Sequence, residues 1–511
     1  MAPSFGSTAQ HAFSTTPTAE DPYRYQVGFG NRFASEAIPG TLPFARNTPQ
    51  KCKYDLYSEQ LNGSAFISSR QMLQNVWMYR IRPAVAHRGF TPLDSGDVEG
   101  NFSLLNPRVH HVPQQLAWDP FMMPPSSSTS RVDFAHGIHT IAGHGDPTLE
   151  EGVAVHIYTA NASMQNSAFC SADGDMLILP QEGRLSIQTE LGRMMVRPGE
   201  LVVIQKGIRF KITLPDGGPV RGYIQEIFGS HYELPELGPL GSNGMAHQRD
   251  FEMPIASFDI DESPWEIVYK YCGKLYMCKQ DHTPFDVVAW HGNYVPYKYL
   301  LTKFVNVGNL EKDQMDPTVY CVLTARSKIP GVSLTDFLVF TPRWSVATDT
   351  FRPPYYHRNM STEVMGLLYG TYGGSSHVLE PGGLSYEASF MPHGETYETW
   401  KEATTVELKP TRVCENTIAF MFHISMKLGI TDYALHRSGV LHASPADQWD
   451  NLKGHFMDHI EEINADLCAA GLPTLGSGSP STTSAAQPAT DDQFDNLAGV
   501  VALSNSDTSV F

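Results

Sequence analysis

The sequence predicts a mainly β protein built as two barrel or sandwich halves, closed by a short C-terminal helix. Short apolar runs alternate with Gly, Pro and Asn turn residues from about residue 25 to 256, the pattern of half-buried strands. A comparable pattern returns after about residue 311. The 511 residues also exceed what one core holds, since single cores rarely grow past about 250–300 residues.

Taken in order, residues 1–24 are small, polar and proline-containing and read as a loose arm. The clearest part of the first half, 25–256, is MLILPQEGRLSIQTELGRMMVRPGELVVIQKGIRFKITL. There LSIQTEL and MMVRPGELVVIQ read as strands joined by tight glycine turns. Residues 257–310 connect the halves and carry the word AWHGNY. The second half, 311–446, offers TVYCVLTAR, DFLVFTPRW and TIAFMFHISM as strands. Residues 447–472 are amphipathic, with Trp449, Leu452, Phe456 and Ile460 at helical spacing and Gly471 and Pro473 as stop signals. From 473 to 511 the chain is rich in Ser, Thr and Ala, and its composition predicts disorder.

Composition narrows the function. A net charge of −18 with no basic block argues against nucleic acid or an anionic membrane as partner. The N-terminus lacks the apolar core of a signal peptide, and no run approaches 18 apolar residues. The seven cysteines are scattered, an odd count without a disulfide framework, and Cys272 and Cys278 lie outside zinc spacing. A reducing cytoplasm fits all of this.

The chemistry concentrates in FRPPYYHRNMSTEVMGLLYG and SFMPHG. His357, Glu363 and His393 offer two imidazoles and one carboxylate, the donor set of a mononuclear Fe(II) site. Such a set leaves roughly three of about six coordination positions open for substrate and dioxygen. With 20 histidines in the chain, the pair His357 and Glu363 alone fits a surface or capping role equally well. Gly370 and His393 add weight, because the first motif of cupin barrels reads H-x-H-x3-4-E-x6-G. His357, Asn359, Glu363 and Gly370 occupy that frame, with Asn359 where one histidine would stand. The second cupin motif, G-x5-P-x-G-x2-H, survives in the first half as Gly199 and Gly207. Gln205 replaces its proline and Phe210 its histidine, so an internal duplication with one metal-bearing half is expected. His455 and His459, four apart, read as a solvated helix face. Tyr355 and Tyr356 read as core.

Longer words carry a closer likeness. FRPPYYHRN, FDVVAWHGNYVPYKY (285–299), MPHG, LYSEQLNGSAF (56–66), DGDMLILPQEG (173–183) and HYELPELGPLGSNGMA (231–246) resemble the homogentisate 1,2-dioxygenase family, in order from about residue 25 to 453. The resemblance implies an Fe(II) enzyme of tyrosine and phenylalanine catabolism that opens the homogentisate ring with dioxygen to give maleylacetoacetate. It implies trimers paired into hexamers. It marks His291 as the base that takes a ring-hydroxyl proton, a role imidazole suits near neutral pH. On residue type alone, His291 equally fits a histidine satisfied by strand backbone. Tyr372 matches the family's substrate-contacting tyrosine, and His393 is counted with it as well as with the metal ligands. One departure stands out: Glu387 lies six residues before His393, where the family carries a histidine that helps to bind substrate. An ionised glutamate there would repel a substrate carboxylate unless protonated or paired, for instance by a nearby Arg or His377, or the alignment shifts locally. A paralogue opening another 2,5-dihydroxyphenyl compound and a non-catalytic bicupin are the competing readings.

Overall fold

Runs rich in Val, Ile, Tyr and Phe fit a pleated, half-buried surface, and here they pair into sheets. The computed structural model describes residues 15–43, 49–236, 245–306, 320–344, 355–372, 379–407, 409–442 and 447–476. Residues 1–14 of the expected arm (1–24), residues 477–511 of the expected tail (473–511), and His377 lie outside them. Among the described residues, pairing is antiparallel except between Ser167–Ser171 and Trp265–Tyr271. The expected strands form at Leu185–Thr189, Gly192–Val196, Glu200–Ile204, Cys321–Arg326, Ser333–Phe340 and Ile418–Ile424.

Three large sheets of ten, seven and eight strands make the body. Strands Glu151–Ala160, Gly174–Glu182 and Val220–Phe228 lie side by side in the ten-stranded sheet and are buried almost continuously. Such burial needs a cover on both faces. On one side Phe134 packs on Tyr158, Phe169 and Phe210. On the other, Tyr223 meets Phe420 of the eight-stranded sheet at 4.8 Å and donates to the Gly383 carbonyl at 2.9 Å. The two halves also exchange strands. Leu116–Trp118 pairs with Leu384–Glu387, Tyr232–Glu233 with Cys321–Arg326, and Gly429–Thr431 with Ile138–Asp146.

His156, Asp173 and Glu226 of the first half and Lys270 of the connecting segment form a buried polar group. The Lys270 ammonium lies 2.7 Å from Glu226 and 2.6 Å from Asp173, and His156 Nε2 is 3.3 Å from Glu226. A lysine thus supplies the positive charge between the acidic side chains. Gln205 donates to the Val295 carbonyl at 2.8 Å, and Phe210 sits among aromatic rings, so both substituted motif positions have structural partners.

A four-stranded sheet carries Val287–Gly292 between Phe33–Glu36 and Asn75–Arg80. Fully buried Arg80 bonds Asp286, Glu190 and Glu59 at 2.7, 2.8 and 3.0 Å. All seven cysteines are unpaired. No helix among the described residues is long and apolar enough to cross a membrane.

The chain divides into two compact units, Met1–Trp449 and Asp450–Phe511. In the second, the helix is shorter than its periodicity suggested: Ile460–Ala469, preceded by a 3-10 turn at Phe456–His459. Gly454 and the turn residues before it break the pattern, and Gly471, at φ +71°, ends it. A second helix, Tyr397–Thr405, was not evident from periodicity. Thr396 caps it by accepting from the Thr399 N–H.

Candidate metal centre

Glu363 is the second residue of strand Thr362–Tyr369, which lies between Leu384–Glu387 and Ile418–Ile424. A tight turn ends the strand at Gly370, whose φ is +87°; a Cβ there would come within 2.5 Å of the Asn416 carbonyl. Two loops converge on Glu363 and are laced together by main-chain bonds. His357 and His393 exchange N–H···O bonds of 3.0 and 3.1 Å, and Phe390 donates to the Asn359 carbonyl at 2.7 Å. The outcome is one tight cluster. His357, Glu363 and His393 each present a ligand atom within 4.8 Å of the others.

Within it, His357 Nε2 stands 3.2 Å from Glu363 Oε1 and His393 Nε2 3.6 Å from Oε2. The two imidazole rings are 4.2 Å apart. His393 Nδ1 donates to the Met391 carbonyl at 3.0 Å, which fixes the ring with its Nε2 buried and without a hydrogen bond. Burial by itself would raise the Glu363 carboxyl, but His357, His393 and Asn359 outweigh it and hold the group well below the usual carboxylate range. Burial opposes charge on His393, yet Glu363 and the Met391 carbonyl lift it to about 8. An ionised, buried carboxylate flanked by two imidazoles, each with one unpartnered ring nitrogen, fits a divalent metal.

Asn359 acts differently from the histidine it replaces in the motif. Its amide donates to Glu363 Oε1 at 2.8 Å and its carbonyl oxygen accepts from Ser361 N–H at 3.0 Å. It therefore fixes the carboxylate that would meet the metal. Glu387 lies directly opposite Glu363 in the strand register, so the two side chains share a face. It is buried, its Oε2 has no partner, and burial pushes it up to about 8. Glu395, missed in the sequence, is likewise pushed up to about 7 by burial and has an unpartnered Oε2. Only its position two residues after His393 could have signalled it.

Tyr355 and Tyr356 are not core. Both are exposed, and the Tyr355 ring lies 5.2 Å from His357. The loop that delivers His357 to the cluster keeps its neighbours at the surface. Tyr372 packs on Phe340 at 5.9 Å, beside an Arg343 guanidinium that also lies over Tyr320 and Phe340. His291 sits in the four-stranded sheet, half-buried, with the Tyr79 hydroxyl 3.5 Å from its Nε2. Burial and Arg32 keep its pKa below the ordinary value. Among the described residues no hydrogen bond or ring contact joins Tyr372 or His291 to the cluster.

Two β-rich halves, with a His–Glu–His set around a buried carboxylate on the second, make a mainly β protein with one candidate metal centre there. The comparisons place it more closely. The family models described as homogentisate 1,2-dioxygenase N-terminal and C-terminal match residues 24–301 and 302–456. The chain is 46% identical to the homogentisate 1,2-dioxygenase of Emericella nidulans, over 86% of this chain and 97% of that protein. It is 46% identical to that of Homo sapiens, over 85% and 97%, and 49% identical to that of Dictyostelium discoideum, over 81% and 93%. This chain belongs to the homogentisate 1,2-dioxygenase family.

Proposed function

We propose that the protein opens the aromatic ring of homogentisate with dioxygen to give maleylacetoacetate, using Fe(II) held by His357, Glu363 and His393. The observation that carries this is the cluster itself, whose three donors lie within 4.8 Å around the buried Glu363, in a chain of this family. Fe(II) held there would supply open coordination positions and a path for charge between an electron-rich ring and dioxygen. The chain's own groups do the rest. Glu363 stays ionised, Asn359 orients it, and the Met391 carbonyl fixes the His393 ring. His291 takes the ring-hydroxyl proton; its depressed pKa keeps the imidazole neutral, as a proton acceptor must be. Tyr372 and His393 contact substrate. The division at about residues 256 and 311, a cytoplasmic location and a trimeric or hexameric assembly belong to the same reading. Ile67 and Leu105, almost fully exposed, are the kind of apolar surface that assembly covers.

A second reading has one specific support. Glu387, buried and opposite Glu363, suits a neutral 2,5-dihydroxyphenyl substrate as well as an acidic one. Anaerobic purification, metal analysis and oxygen uptake with homogentisate test the proposal. Stoichiometric iron and rapid uptake are expected in the natural protein, and His357→Ala, Glu363→Ala and His393→Ala should each lose both. An iron-replete protein inert toward homogentisate but active on a neutral analogue would establish the second reading.

A further inference from the structure

A second set of metal-ligating side chains lies apart from this centre. His110, Asp432 and His436 also present one ligand atom each within 4.8 Å. His110 ends the strand Val109–His110, which pairs antiparallel with Gly429–Thr431 so that His110 faces Ile430. Asp432 follows that second strand, and its N–H donates to the Arg108 carbonyl at 2.9 Å. Main-chain bonds therefore fix both residues on neighbouring strands.

His436 comes four residues after Asp432, in a π-helical turn at Tyr433–Arg437 closed by Ser438 N–H donating to the Tyr433 carbonyl at 2.7 Å. Such widened turns are rare and concentrate at functional positions. This one is anchored on several sides. The Tyr433 ring stacks on His139 at 4.5 Å, Trp118 Nε1 donates to the Ala434 carbonyl at 2.8 Å, and Thr431 donates to the Thr140 carbonyl at 2.6 Å.

The local charges leave Asp432 available. Arg108 is engaged by Glu99 at 2.6 Å and Arg437 by Asp97. The Asp432 carboxylate meets His110 Nε2 at 2.6 Å. His436 is exposed, its ring 6.1 Å from that of His110, and among the described residues it makes no hydrogen bond.

We propose that His110, Asp432 and His436 form a second site, for a divalent ion of the zinc class, independent of His357, Glu363 and His393. Two imidazoles and one carboxylate are ligands Zn2+ takes, with water completing the tetrahedron. The ion replaces the His110–Asp432 hydrogen bond and clips an N-terminal edge strand to the turn after a C-terminal one.

The test uses the iron-loaded full-length protein, incubated with Zn2+ and desalted, with zinc and iron counted in the same sample. The natural protein should retain about one zinc per chain, with iron unchanged, and melt at a higher temperature than without zinc. His436→Ala and Asp432→Asn should bind zinc more weakly by at least the 10–100-fold that loss of an outer partner alone costs, and their melting should not respond to zinc. His436 is exposed, so its variant should fold. Equal zinc retention by natural and His436→Ala protein overturns the proposal. So does zinc uptake matched by an equal loss of iron, which would put the ion in the other centre.

Discussion

At the scale of single residues, the motif frame identified which positions matter better than what each one does. Asn359 occupies a ligand position in the pattern, yet its amide holds Glu363 Oε1. Asn359→Ala should therefore keep iron but lower its affinity roughly 10–100-fold, measured by competition with a chelator. Retention of natural affinity would remove Asn359 from the support of the site. Glu387 is the other case. The resemblance implies a histidine at this position, and an ionised carboxylate would repel an acidic substrate; burial instead favours the protonated acid, a neutral hydrogen-bond donor. A glutamine keeps one carbonyl oxygen and adds an N–H donor. Glu387→Gln should thus retain kcat/KM on homogentisate within a few-fold, whereas a loss of the order expected for a broken charge-assisted bond, about 1.5–3 kcal/mol, would show that ionised glutamate is required. For His291, His291→Ala should keep iron while turnover falls about 10²–10⁴-fold; loss of metal there would make it a structural or ligating group instead.

At the scale of elements, the long buried strands of the first half are held by charge as well as by packing. Glu226 and Lys270 are fully buried partners, and removing one member of such a pair costs about 3–5 kcal/mol because the other is left uncompensated. Lys270→Met should accordingly lower the thermal midpoint by several degrees without altering iron content; an unchanged midpoint would mean the network is dispensable. Acid should act on the same group. Burial opposes charge on Glu226, but Lys270 and His156 lower its pKa to about 2, so the folded state binds fewer protons than the unfolded one near pH 4. The stabilisation is complete above the unfolded value of about 4.5 and is lost as pH falls toward about 2. His156, depressed first by burial, works in the same direction from its ordinary value downward. Denaturant midpoints measured from pH 7 to 3 should fall progressively, and Glu226→Gln should flatten the lower part of that curve.

At the scale of the whole molecule, the exchange of strands between halves makes the first unit a single folding problem. Leu116–Trp118 belongs in sequence to the first half and in space to the eight-stranded sheet, while Gly429–Thr431 does the reverse. A fragment ending at residue 310 would leave Leu116–Trp118 and the edge of Ile138–Asp146 without partners. Unpaired edges of this kind template association, so that fragment should express as aggregate, and a monomeric, cooperatively melting fragment would contradict the interlaced architecture.

The sequence by itself determined the mainly β class, a minority of the strand positions, the turn at Gly370 and the three candidate ligands, because alternation, turn chemistry and ligand spacing are local signals. It missed what depends on residues far apart in the chain. The surface placement of Tyr355 and Tyr356, the role of Asn359, the burial of Glu387 and the convergence of His110 with Asp432 follow from which loops and strands meet. The helix at 460–469 was shortened by a turn that periodicity alone could not weigh. Tertiary structure decided these points because burial and charge act through neighbours in space, and pairing across about 320 residues, as between His110 and Asp432, has no trace in local spacing.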